Sequence, residues 1–233
     1  MKSDPEFAAD LTGFTGVVPI FPLPSVVLFP YVAMPLHIFE DRYRRMVEDA
    51  LEGERLIAMA LLKPGWEAGT NPTPAIHQMV CLGRITADER LPSGRFNIVL
   101  TGVQRAIVTG ELETDLPYRL AKMELCCDVY AAEPAVSREV RYQELLLSFR
   151  RLFPRTRGDS LFAQVLEADL PLGVTCDLLA AALRIGVADK QSLLDEVDVD
   201  LRSDLLLDKI HGLLSEAGPD RLVRRFPPSF SRN

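Results

Sequence analysis

From residue 19 to 39 the apolar residues fall in short runs, cut by prolines at 19, 22, 24, 30 and 35. Each proline removes an N–H and biases the residue before it toward extended geometry. One long helix is therefore excluded, and 26–29 and 34–39 read as strands. After Glu40-Asp41 the spacing changes. Tyr43, Met46, Val47, Ala50 and Leu51 share one helical face, with acidic residues at the start and Gly53 as the stop. Residues 56–62 form a short apolar run ended by Lys63-Pro64-Gly65, the pattern of a buried strand. A Pro- and Gly-rich loop, 64–74, follows and carries Trp66, the only tryptophan. Residues 80–88 and 96–101 flank Leu91-Pro92-Ser93-Gly94 as a hairpin, and Gly102 is expected to break the second strand. Residues 104–113 and 118–125 supply two more strands on either side of Asp115-Leu116-Pro117. Short strands with one prominent helix bury their edges most simply by curling into a small barrel.

Past Ala131-Ala132-Glu133-Pro134 the period is helical. Tyr142, Leu145, Leu146, Phe149, Leu152 and Phe153 line a helix that ends near Pro154. After a charged connector, 155–159, a short helix is expected at 161–167. Thr175 is expected to cap a helix carrying Leu178, Leu179, Ala182 and Leu183, with Gly186 at its end. Asp189 is expected to cap another with Leu193 and Leu194. A last helix after Asp200 carries Leu206, Ile210, Leu213 and Leu214 and stops at Gly218-Pro219. Leucine-rich helices on short connectors read as a bundle. The expected organisation is α+β: a tail (1–15), a β-barrel domain (16–128), a helical bundle (129–218) and a second tail (219–233).

The 233 residues suffice for a sizeable core, and 48% apolar with 25% charged residues is ordinary for a globular protein. The net charge of −7 disfavours sequence-independent nucleic-acid binding, which needs clustered Lys and Arg. The first residues are acidic and contain a proline where a signal peptide needs an apolar core. No run is long and apolar enough to cross a bilayer, so a cytoplasmic protein without membrane contact is expected. Cys81, Cys126, Cys127 and Cys176 show no CxxC spacing and read as reduced core thiols.

Candidate chemistry is sparse. No glycine precedes a lysine, which excludes the Gly-Lys-Ser/Thr phosphate loop, and there is no Gly-x-Ser-x-Gly elbow. His37, His77 and His211 are scattered, and His37 reads as structural or surface-lining. The run Asp195, Glu196, Asp198, Asp200 lacks the glycine and final glutamate of a calcium loop. No cofactor or metal is expected. Glu40 reads as serving the helix start, with Arg42 paired to a neighbouring carboxylate; presenting polar partners to a peptide is the second reading. Trp66 reads either as a cover for an edge of the core or as an aromatic contact at a binding surface.

Several segments, in one order, carry a family resemblance. They are Phe21-Pro22-Leu23, Val27-Leu28-Phe29-Pro30, Pro35-Leu36-His37-Ile38-Phe39-Glu40, and Arg42-Tyr43-Arg44 with Met46. Val80-Cys81-Leu82-Gly83-Arg84-Ile85, Leu91-Pro92-Ser93-Gly94, Val99-Leu100-Thr101-Gly102-Val103-Gln104-Arg105 and Pro117-Tyr118-Arg119-Leu120-Ala121 continue it. Gln191-Ser192-Leu193-Leu194 and Val199-Asp200-Leu201-Arg202 extend it into the helical part. Together they resemble the N-terminal substrate-binding domain of the ATP-dependent Lon proteases. The resemblance implies a PUA-like barrel followed by helices. It also implies binding of unfolded or extended polypeptide without cleavage, since the matched region holds neither the ATPase nor the serine–lysine protease module. The expected contacts are Tyr31, Met34, His37 and Trp66. An adaptor docking on a protease or chaperone is the first alternative. PUA-like RNA binding is the second, against which the acidic balance argues.

Overall fold

Strand β1, Val17–Leu23, runs through both Pro19 and Pro22. Its two neighbours explain why. β1 pairs antiparallel with β6, Arg119–Cys126, over Val17 to Ile20, and parallel with β3, Leu56–Leu61, over Ile20 to Leu23. The carbonyl of Leu23 accepts from Leu62 N–H beyond β3, and that of Gly16 accepts from Met123 N–H in β6. Backbone groups alternate sides along a strand. Pro19 therefore faces the β3 side before that ladder begins, and Pro22 faces the β6 side after that ladder has ended. Neither missing N–H interrupts a ladder: Pro19 sets where the β3 ladder starts, and Pro22 lies past the end of the β6 ladder. The expected strand at 26–29 is instead an irregular segment with Val27, Leu28 and Phe29 buried.

In this computed structural model the described residues are Leu11, 14–68, 73–153 and 170–216. They fall into two compact units, one through Cys126 and one from Cys127 onward. In the first unit, β2 (Ala33–Ile38) leads to helix α1 (Asp41–Glu52) and then to β3. The long strands β4 (Met79–Arg90) and β5 (Phe96–Leu112) form the hairpin. One edge of β5 pairs with β4; the other pairs with β2 over Phe96 to Thr101 and with β6 from Arg105. The ring β1-β3-β4-β5-β6 thus closes on itself, and β2 is an added edge strand. Gly102 sits at the changeover of partners and does not end the strand.

The barrel interior holds Val18, Ile20, Leu56, Val80, Leu82, Val108 and Met123 together with Ala58, Ala60, Ala106 and Ala121. The small alanines let strands approach across a narrow barrel. α1 buries the face read from its spacing, Tyr43, Met46, Val47 and Ala50, with Gly53 at its C-cap. The Tyr43 ring packs 4.6 Å from that of Phe21. Arg42 does pair with a neighbouring carboxylate, Glu40, at 2.8 Å.

The second unit contains α2 (Arg138–Leu152), α3 (Leu172–Ala182), α4 (Val187–Asp195) and α5 (Val199–Glu216). α2 and α5 run in the same direction along a polar seam: Arg138 meets Asp200, Arg141 meets Asp204, and Ser148 meets His211. Arg202 is buried, 2.7 Å from Asp128 and 3.6 Å from Asp177. Burial works against its charge, but Asp177 and Asp128 outweigh burial and hold the guanidinium above the ordinary arginine range. Three caps differ from expectation. Thr175 is buried inside α3, with Pro171 at the N-cap, and Gly186 starts α4 rather than ending α3. Asp189 does not cap α4 but lies in its first turn and pairs with Lys209. The expected helix at 161–167 and the tail 219–233 lie outside the described residues; of the tail 1–15, the described Leu11 and Phe14 pack against the barrel core. None of the four cysteines is in a disulfide; Cys81 and Cys176 are core residues, whereas Cys127 is exposed. No described helix is long and apolar enough to cross a membrane.

Candidate functional site

The segment before β2 is held by backbone contacts at one point of β5. Tyr31 N–H donates to the Gly102 carbonyl at 2.8 Å, and Gly102 N–H donates to the Val32 carbonyl at 2.9 Å. Tyr31 adopts φ 66°, a left-handed conformation uncommon for a bulky residue. Its ring is 37% exposed.

β2 then alternates. Ala33, Pro35 and His37 are exposed, Met34 and Leu36 half-buried, and Ile38 buried. Met34 and His37 therefore point to opposite faces of the strand. Since Val32 bonds toward β5, the same alternation turns the backbone groups of Met34, Leu36 and Ile38 toward β5. Those of Ala33, Pro35 and His37 face outward, where among the described residues β2 has no neighbouring strand. Pro35 sits where its missing N–H costs no ladder bond, as edge prolines do.

A polar chain crosses the sheet from His37. Asn97 Nδ2 donates to a Glu89 carboxylate oxygen at 2.9 Å. A carboxylate only accepts, so this bond fixes the amide orientation and leaves Asn97 Oδ1 facing His37 Nδ1 at 2.8 Å. Nδ1 must then carry the proton, and Nε2 remains for a ligand. The Phe39 ring, 39% exposed, stacks near the imidazole at 6.2 Å between centroids. Beside this row, Thr86 and Thr101 share a hydroxyl hydrogen bond of 2.9 Å.

Tyr31, Met34 and His37 thus come from one continuous segment. Trp66 belongs to another, a short turn after β3 (Trp66–Ala68), and is 38% exposed. Phe39 and Asn97 were missed as candidates in the sequence. Phe39 shares His37's parity in the alternating run, a usable signal; the partnership with Asn97 depends on strand register. Among the described residues no group of His, Cys, Asp and Glu is arranged to hold a metal ion. What the surface offers is unpaired strand backbone flanked by aromatic rings and an imidazole, which suits recognition of an extended chain.

Comparison with known proteins agrees with this architecture. The model of a family described as the ATP-dependent protease La (LON) substrate-binding domain matches residues 17–211. The Lon protease of Dictyoglomus thermophilum is 30% identical over 193 residues, covering 80% of this chain and 23% of that protein. The Lon protease of Desulfovibrio desulfuricans is 31% identical over 203 residues, covering 84% of this chain and 22% of that protein. The chain therefore spans about a quarter of the length of these curated relatives. Among solved structures, the Lon N-terminal domain protein from Xanthomonas campestris superposes with a TM-score of 0.59 at 22% identity, covering 82% of this chain and 97% of that one. The N-terminal domain of a Mycobacterium avium complex Lon protease gives 0.65 at 17% identity, covering 84% and 98%. These two share the fold.

Proposed function

The chain belongs to the Lon substrate-binding domain family, and from that premise we propose that it holds unfolded or extended polypeptide segments without cleaving them. The observation that carries this reading is the outward edge of β2. Ala33 and His37 present N–H donors there, and Ala33, Pro35 and His37 present carbonyl acceptors. A polypeptide laid along this edge extends the sheet by one strand, its alternate side chains meeting His37 and Phe39 on one face and Met34 on the other, with Tyr31 at the entry to the strand. Trp66 is assigned as a further contact from the connection after β3. Pro35 interrupts the run of donors, which limits edge-to-edge pairing between copies of the chain and keeps capture reversible. A reducing compartment such as the cytoplasm suits four cysteines outside any disulfide.

The direct test is Ala33→Pro. It deletes one outward donor and no ladder bond. Binding of reduced, unfolded casein, followed by fluorescence anisotropy, is expected to weaken while the melting temperature stays within a few degrees. Unchanged affinity in a folded variant would remove the edge from the proposal.

A further inference from the structure

A concave feature of the first unit lies where β1 and β3 part. Their parallel ladder begins at Ile20 opposite Ala58, although both strands extend further back. On this register the carbonyl of Leu56 would accept from residue 19, which is a proline and has no N–H. The ladder opens there for that reason, and a cleft of about 170 Å³ occupies the wedge. That is well below the roughly 300–1,000 Å³ of small-molecule sites, and suits one side chain rather than a cofactor.

The lining is mixed in a particular way. Phe14, Val17 and Leu56 are among its apolar lining residues, and Asp49 and Glu54, from the end of α1 and the turn after it, are its acidic ones. Asp49 is already engaged, by Arg45 at 2.9 Å and by the Tyr118 hydroxyl at 2.7 Å. Burial and that bond to Asp49 push the Tyr118 phenol up to about 12, so it stays a proton donor at neutral pH. Glu54 lends its backbone carbonyl to Arg84, but its carboxylate has no partner among the described residues. A lining of apolar residues with one acidic residue whose carboxylate is unengaged matches a long aliphatic stem with a cationic head. A chain's terminal amine has the charge without the stem.

We propose that this cleft takes a lysine or arginine side chain of the bound polypeptide, its stem against Phe14, Val17 and Leu56 and its charge at Glu54. This deepens the polypeptide-binding reading and rests on it. The test uses two N-acetylated, unfolded peptides that differ at one central position, lysine or norleucine, flanked by apolar residues. Each is titrated against the full chain and against Glu54→Gln and Glu52→Gln, the latter removing an exposed charge outside the cleft. The lysine peptide is expected to bind the native chain about two- to fivefold more tightly, the range for a half-open ion pair. The preference should vanish in Glu54→Gln and persist in Glu52→Gln. Equal binding of both peptides by the native chain, or a preference that survives Glu54→Gln, overturns the cleft assignment while leaving polypeptide binding standing. Failure of both peptides to bind overturns the polypeptide-binding reading, and the cleft assignment with it.

Discussion

The carbonyl of Phe29 lies over the α-carbon of Gly102, and only a hydrogen atom fits between them. The contact occurs where β5 exchanges one partner strand for another. It positions the segment that enters β2, so the surface around Tyr31 depends on a glycine in a strand far along the chain.

Gly102→Ala is accordingly expected to destabilise the first unit by at least about 1–3 kcal/mol, because the new methyl meets rigid backbone. Gly110→Ala, in the same strand, has open space around the added methyl and should be nearly neutral. Urea unfolding of the two variants makes the comparison. A neutral Gly102→Ala would show that this crossing is looser than described.

Tyr31 holds a left-handed backbone that glycine adopts without strain. Tyr31→Gly is expected to leave the melting temperature unchanged or slightly raised and to weaken polypeptide binding through loss of the exposed ring. Strain retained where glycine would relieve it is a mark of a functional position. A marked fall in stability would assign the ring to packing instead.

In the second unit, Arg202 stands between Asp128 and the fully buried Asp177. Arg202→Met is expected to cost about 3–5 kcal/mol, because it breaks a buried charge cluster by removing its cation. Converting Asp177 to Leu in the same chain should recover part of that loss. Denaturant unfolding checks both, and additive losses would contradict the pairing.

Much of this architecture was legible from local pattern. The spacing of Tyr43, Met46, Val47 and Ala50 placed α1, and the run 56–62 marked a strand buried on both faces. What escaped was set by distant partners. Pro19 and Pro22 suggested broken structure because prolines remove donors; only the staggered ends of the β3 and β6 ladders make both harmless. Val27, Leu28 and Phe29 have strand composition, yet the close approach to Gly102 draws them into an irregular path. Thr175 looked like a cap because nothing local distinguishes a capping threonine from one buried in a helix. At the surface, Tyr31 and His37 were readable as proline-bounded exposed positions. That Met34 faces away from His37 was implicit in strict alternation. The link from His37 through Asn97 to Glu89 required the register of three strands.

Trp66 separates the two readings that the sequence left open. At 38% exposure its truncation removes part of its packing only. Trp66→Ala is expected to weaken casein binding with little change in melting temperature, whereas truncating a buried tryptophan costs about 3–5 kcal/mol. Thermal melts and binding curves on the same preparation decide the matter. A large stability loss would place the ring in the core and withdraw it from the site.

The central claim is that polypeptide is held on the outward edge of β2, and amide hydrogen exchange reads that edge residue by residue. In the free chain the N–H groups of Ala33 and His37 face away from β5 and should exchange rapidly, while those of Met34 and Leu36 are protected by the ladder. With saturating unfolded casein, the Ala33 and His37 amides are expected to slow by an order of magnitude or more, with Met34 and Leu36 little changed. If casein binds and both outward amides still exchange at their free rates, the bound segment lies elsewhere and the account is contradicted.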